Sequence, residues 1–173
     1  MKKKIIITGG LGYIGTELCK LYSGVSWNNE IIIIDNRFVS ERVNQIRNWN
    51  MEFVHGDILD KDLITKYCTD ADVIHHLAGI TEVPRTKSEA NEIQDEKIKT
   101  VAEEGTQNIL DVITDKCKII FPSTHVVYEG IEKIQNEISE DEEVKPILSY
   151  SNSKALNEKQ LKQSGKNYII LRL

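Results

Sequence analysis

Eight residues near the amino end, Thr8-Gly9-Gly10-Leu11-Gly12-Tyr13-Ile14-Gly15, limit most strongly what this chain can fold into. They fit T-G-x-x-G-x-x-G. The β-branched run Ile5-Ile6-Ile7 precedes them, and Ile14, Leu18 and Leu21 follow at helical spacing. A strand, a glycine turn and a helix in that order bring a helix N-terminus close to whatever lies over the strand end. The unpaired N–H groups and the dipole there favour a pyrophosphate. The same turn could serve only to pack helix on strand. A Walker-type phosphate loop is excluded, because no Gly-Lys-Ser/Thr follows.

The rest of the chain repeats the alternation. Further strands are expected at Ile31–Ile34, Met51–His55, Val73–Ala78, Ile119–Phe121 and Tyr168–Leu173. Helices are expected from Gly12 to about Ser23, Asp60 to about Tyr67, Glu92 to Ile113 and Ser149 to about Gln163, with Gly165 as a stop. The segment from Gly130 to Pro146 is acidic and aperiodic and reads as a surface loop. Continuous apolar strands alternating with helices predict an α/β fold. The expected form is a doubly wound, Rossmann-like parallel sheet of about six strands with helices on both faces, spanning 1–173 as one domain.

At 173 residues with 40% apolar content, the chain is long enough for one packed core. Its net charge of −5 gives no electrostatic reason to expect nucleic acid or an anionic membrane as partner. Cys19, Cys68 and Cys117 are widely spaced, which argues against a disulfide framework or a metal cluster. They read as small apolar residues in a reducing compartment. Ile5–Ile7 is too short for a signal segment, and no run approaches a membrane span, so a cytoplasmic location is expected.

Several polar residues fall at strand ends. Asp35 ends strand two, twenty residues after Gly15. A carboxylate there can accept both hydroxyls of an adenosine ribose and would repel a 2′-phosphate. It could equally be a turn residue, and Arg37 nearby could pair with a 2′-phosphate. Asp57 could receive an adenine amino group or cap the following helix. His75 and His76 are adjacent on a strand, so they point to opposite faces and cannot share a metal. Tyr150 and Lys154 are four apart and share a helix face. An ammonium beside a phenol favours the phenolate, which makes a general base for an alcohol. Thr124, after strand five, could bond the same hydroxyl.

These pieces run in the order found in the extended short-chain dehydrogenase/reductase family, the NAD-dependent epimerases and dehydratases of nucleotide sugars. The chain resembles it through Thr8-Gly9-x-x-Gly12-x-x-Gly15, Asp35-Asn36, Gly56-Asp57-Ile58, His76-Leu77-Ala78-Gly79, Gly105-Thr106-Gln107-Asn108-Ile109-Leu110, Ser123-Thr124, Val127-Tyr128 and Tyr150-Ser151-Asn152-Ser153-Lys154. The resemblance implies a catalytic set of Thr124, Tyr150 and Lys154. It implies an NAD site formed by Gly9, Gly12, Tyr13, Ile14, Gly15, Asp35, Asn36, Asp57, Ile58, Leu77, Ala78 and Gly79, with Tyr150 and Lys154. It also implies a nucleotide-sugar substrate and a homodimer through the helices at 92–113 and 149–163.

Three departures stand out. Ala102 occupies a position where the family usually has Asn. The family's Val-Tyr-Gly becomes Val127-Tyr128-Glu129-Gly130, one residue longer. The C-terminal lobe that binds the sugar nucleotide is expected to be absent from this chain. After Thr124, dehydratases of the family carry Asp-Glu and decarboxylases a Glu; here His125 and Val126 follow. The expected activity is therefore hydride transfer by an epimerase or keto-sugar reductase, with an NAD-binding module lacking turnover as the alternative.

Overall fold

The computed structural model describes residues 2–81, 92–132 and 137–173. Six strands, β1 Lys4–Thr8, β2 Glu30–Asp35, β3 Glu52–His55, β4 Val73–His76, β5 Lys118–Ser123 and β6 Asn167–Arg172, form one parallel sheet in the order β3-β2-β1-β4-β5-β6. Among the described residues five α-helices connect them: α1 Tyr13–Tyr22, α2 Ser40–Asn48, α3 Lys61–Cys68, α4 Glu92–Val112 and α5 Ser149–Gln163. The strand order reverses between β1 and β4, the switch point at which such a sheet leaves a crevice at its carboxyl end. The expected Rossmann-like architecture is the observed one.

The isoleucine runs explain why the sheet is covered on both faces. Ile5 pairs in register with Ile31, Ile6 with Ile32 and Ile7 with Ile33. Alternate residues point to opposite sides. Ile5, Ile7, Ile31 and Ile33 pack with Cys19 of α1 and with Val43 and Ile46 of α2. Ile6, Ile32, Ile34, Ile74, Ile119 and Phe121 pack with Ile64 of α3, Ile109 and Leu110 of α4, and Leu161 of α5. Each fully buried isoleucine contributes about 1.5–3 kcal/mol relative to exposure. Cys19, Cys68 and Cys117 are free thiols inside this core. Burial pushes Cys19 and Cys68 up to about 12 and Cys117 to about 11.

Helix α2 is the element that periodicity alone did not indicate. Its buried positions are only Val43 and Ile46, too few to form a stripe. In the expected loop at 130–146, residues 133–136 lie outside the described residues, and the described ones form no helix or strand. No helix among the described residues is long and apolar enough to cross a membrane. On the edge strand β6, Ile169 and Leu171 are exposed, as is Leu173 beyond it, while Tyr168 and Ile170 pack against the core.

Strand β6 is tied to α5 by charge. Arg172 donates to Glu158 from Nε (2.9 Å) and Nη2 (2.6 Å), and the Ser123 hydroxyl donates to the same carboxylate at 2.6 Å. Burial by itself would raise the Glu158 carboxyl. The hydrogen bonds from Arg172 and Ser123, together with the Arg172 charge, outweigh it and bring it down to about 2. Arg172→Leu should therefore destabilise the chain in urea unfolding, by less than the roughly 3–5 kcal/mol of a fully unpaired buried charge, because Ser123 and Lys162 (3.3 Å) still face the Glu158 carboxylate. Glu158 is depressed in the folded chain, so its stabilisation is fully present above the unfolded value near 4.5 and fades as pH falls toward 2. Stability of the native chain should decline more steeply than that of Glu158→Gln across that window. Parallel declines would contradict the assignment.

Candidate functional site

The glycine turn closes the switch point. Gly9 has φ +68°, and a Cβ there would lie 2.7 Å from the backbone of Ala78, just beyond β4. Its N–H donates to Ile34 O of β2 at 2.7 Å. Gly15 stands over Gly10, where a Cβ would come within 2.5 Å of the Gly10 Cα. Only glycine allows strand, turn and helix to approach this closely. Gly12 is the N-cap of α1 and supplies no side-chain cap. The first-turn N–H groups, including those of Tyr13 and Ile14, thus suit an anionic ligand. Both of these side chains are exposed.

Asp35 is buried at the end of β2. Its Oδ2 accepts from Leu11 N (2.9 Å), and its Oδ1 accepts from Arg37 N (3.0 Å) and faces Arg37 Nε at 3.5 Å. The carboxylate therefore holds the glycine turn as well as lying beside the crevice. Both readings of Asp35, turn residue and ligand acceptor, are compatible with this geometry. From α2, Arg42 donates to the Leu11 carbonyl and clamps the turn from outside. The Asn36 amide donates to Asp57 Oδ2 at 2.9 Å, and Leu59 N donates to Asp57 Oδ1 at 3.0 Å. Asp60, not Asp57, caps α3 by accepting from Leu63 N at 3.0 Å. Ile58 differs from its neighbours. Its side chain lies in the core against Gly105, and its carbonyl accepts from Asn108.

Beyond β4, Leu77 N donates to Thr8 O (3.1 Å) and Ala78 N to Thr8 Oγ1 (3.2 Å). The next residue, Gly79, faces open space. The two histidines do point to opposite faces. His75 Nε2 lies 2.8 Å from Tyr22 Oη of α1. His76 lies between Thr8 Oγ1 (2.9 Å) and Thr106 Oγ1 (3.0 Å), and Asn157 of α5 donates to that same Thr106 oxygen at 2.9 Å. Burial, with the Lys154 charge adding to it, brings His76 down to about 3, so it is a neutral bridge. A polar path thus joins the glycine-turn strand to the helix that carries Tyr150.

Strand β5 and helix α5 bring Lys154 and Tyr150 together near the end of β5. Lys154 donates from Nζ to Pro122 O at 2.9 Å, and the same nitrogen lies 4.5 Å from the Phe121 ring centre and 5.9 Å from that of Tyr150. Thr124, two residues beyond Pro122, is buried and accepts from Val126 N at 3.3 Å, opening a 3-10 turn at His125–Tyr128. Burial pushes the Tyr150 phenol up and lowers Lys154 to about 8. The spacing argument expects a lowered phenol. In the protein alone, desolvation dominates instead. At Ala102, where the family usually has Asn, the backbone carbonyl accepts from Asn157 at 2.8 Å. Arg42, Asn157 and Glu158 carry no local motif that would have flagged them. A separate depression of about 340 Å³ lies at the opposite end of the sheet, lined in part by Lys2, Asn29, Arg47 and Met51.

Comparison with known proteins gives this arrangement its context. CDP-paratose 2-epimerase of Salmonella typhi is 35% identical over 142 residues, covering 75% of this chain and 39% of that protein. UDP-N-acetyl-alpha-D-glucosaminuronate decarboxylase of Bacillus cytotoxicus is 32% identical over 130 residues, covering 74% and 38%. Among solved structures, a UDP-glucuronic acid 4-epimerase variant of Bacillus cereus, in complex with a UDP-sugar and NAD, is 27% identical with a TM-score of 0.81. That match covers 99% of this chain and 56% of that one. The chain spans 38–39% of the length of these two curated relatives. The sequence pattern of the NAD dependent epimerase/dehydratase family matches residues 5–173, and with the glycine turn and sheet order described above it establishes that the chain belongs to that family.

Proposed function

We propose that the carboxyl-end crevice binds NAD and that Thr124, Tyr150 and Lys154 act on a hydroxyl of a nucleotide sugar. One observation carries this reading. The Gly9–Ala78 contact and the N-terminus of α1 lie at the same end of the sheet as Lys154, Tyr150 and Thr124. NAD, when bound, supplies the hydride acceptor. The chain's own residues do the rest. The α1 N–H groups neutralise the pyrophosphate, Asp35 accepts from the adenosine ribose, and Asp57 with Asn36 borders the adenine. Lys154 holds the nicotinamide ribose, Thr124 orients the substrate hydroxyl, and the Tyr150 oxygen takes its proton.

The preferred reaction class is epimerase or keto-sugar reductase. Eliminating water or assisting loss of carbon dioxide would call for an acid or base after Thr124. Here Val126 is apolar, and His125 Nδ1 lies 2.8 Å from Leu173 O. A homodimer through α4 and α5 belongs to the same reading; within the chain these helices lie side by side, with Gln160 Nε2 donating to Glu103 O at 2.9 Å. The three buried free thiols support a reducing, cytoplasmic setting. The second reading is that these 173 residues act as a cofactor-binding module without turnover. Binding a dinucleotide needs only the crevice. Holding a sugar carbon beside the nicotinamide can supply about 7–11 kcal/mol of a barrier and needs further contacts.

Calorimetric titration should show NAD binding by the native chain. Asp35→Ala should weaken it roughly tenfold or more, the loss expected for charge-assisted hydrogen bonds. Equal or tighter NADP affinity would assign the 2′ position to Arg37 instead. A steady-state panel of UDP-, GDP-, CDP- and dTDP-sugars should give no turnover with these 173 residues alone. Turnover would place the whole catalytic unit within them, and failure to bind NAD would defeat the cofactor assignment.

Ultraviolet titration tests the base. In the free protein the Tyr150 phenolate, read as native minus Tyr150→Phe, should form above the free-phenol value of about 10. With NAD bound, the added nicotinamide charge should bring the midpoint below that value. A midpoint that stays above it in the complex would remove Tyr150 as the base.

A further inference from the structure

Helix α5 lacks a cap of its own. Its N-cap is Leu148, whose side chain has no acceptor, so the N–H groups at the cap and just before it must find one elsewhere. The acceptor comes from nineteen residues upstream. Glu129 Oε1 accepts from Ile147 N at 2.7 Å, from Leu148 N at 2.8 Å and from the Ser151 hydroxyl. A carboxylate here also sits against the positive end of the α5 dipole.

The backbone around Glu129 is matched to the task. Lys145 N donates to Val127 O and Gly130 N donates to Lys145 O, each at 2.8 Å. A Cβ on Gly130 would come within 2.5 Å of the Lys145 carbonyl oxygen. The segment after β5 is thus laced to the segment that enters α5. Thr124 opens the 3-10 turn that ends at Tyr128, and Glu129 follows directly. On the other side, Tyr150 is two residues beyond Leu148. Glu129 belongs to the stretch Val127-Tyr128-Glu129-Gly130, which is one residue longer than the family's Val-Tyr-Gly.

We propose that Glu129 is a positioning residue, a cap supplied from a distance that fixes the first turn of α5, and with it Tyr150 and Lys154, relative to Thr124. The proposal rests on the reading of those three residues given above. Glu129 touches neither substrate nor cofactor in this account. It acts by removing the freedom of the α5 N-terminus to fray or rotate, so that the phenol stays beside the end of β5.

The test is amide hydrogen exchange and Tyr150 titration on the native chain, Glu129→Gln and Glu129→Ala, each free and with NAD. Glu129→Ala should speed exchange at Ile147, Leu148 and the first turn of α5 by about five- to tenfold, the size expected for a lost cap, and leave β1 to β4 unchanged. It should also move the Tyr150 midpoint of the free protein. Glu129→Gln keeps an oxygen acceptor and should restore both readouts. Native-like exchange and midpoint in Glu129→Ala would overturn the proposal, as would faster exchange with an unmoved midpoint. If Glu129→Ala loses its cooperative unfolding transition, Ser151→Ala, which removes one donor, decides. A smaller change in the same direction supports the proposal, and none overturns it. Failure of the native chain to bind NAD would count against the function above, while the free-protein readouts would still decide Glu129.

Discussion

The contact on which the rest of the structure depends is backbone against backbone, Gly9 against Ala78. With a Cβ position only 2.7 Å from that chain segment, the turn after β1 lies directly on the end of β4. That closeness sets where α1 begins and fixes the crevice between the two halves of the sheet. Gly12, the N-cap residue, leaves the N-terminal turn of α1 without a side-chain cap. Asp35 and Arg42 then hold the turn from the sides, through Leu11 N and Leu11 O respectively. A change that fills the Gly9 position would act on fold and site together.

The crevice is joined to the α5 side by buried polar groups rather than by apolar packing alone. Thr8, His76, Thr106 and Asn157 form one path, and Ser123, Glu158 and Arg172 form another. Such groups stabilise only when fully satisfied. Among the described residues no buried side-chain nitrogen or oxygen lacks a partner. Desolvation acts on Tyr150 and Lys154 in a consistent way. It raises the phenol and lowers the ammonium, so both are held closer to their neutral forms than in water. A phenol in that state becomes a base only when positive charge is added beside it, which links proton chemistry to cofactor occupancy in the function proposed here.

Much of this was legible in the sequence because the signals are local. Ile5–Ile7 and Ile31–Ile34 announce buried strands by composition, the glycine spacing announces the turn, and the four-residue step from Tyr150 to Lys154 sets a shared helix face. What was not legible depends on contacts between distant segments. Helix α2 buries only Val43 and Ile46, so its register is imposed by the sheet it covers. Arg42 reaches Leu11 across thirty-one residues, and Glu129 reaches Leu148 across nineteen. The extra residue at Glu129 is visible in the sequence as an irregularity, but its partners are backbone N–H groups that no residue type marks. The rise of the Tyr150 phenol was missed for a similar reason. Spacing reveals the neighbouring charge and not the burial that opposes it.

The central claim is that the carboxyl end of the sheet, at the β1–β4 switch point, is the dinucleotide site. Amide chemical-shift mapping during NAD titration tests it most directly. The account predicts saturable shifts at Gly9 to Gly15, Asp35 to Arg37, Leu77 to Gly79 and the first half of α5. Shifts confined to the amino ends of the strands, around Lys2, Asn29 and Met51, or no saturable shifts at all, would contradict it.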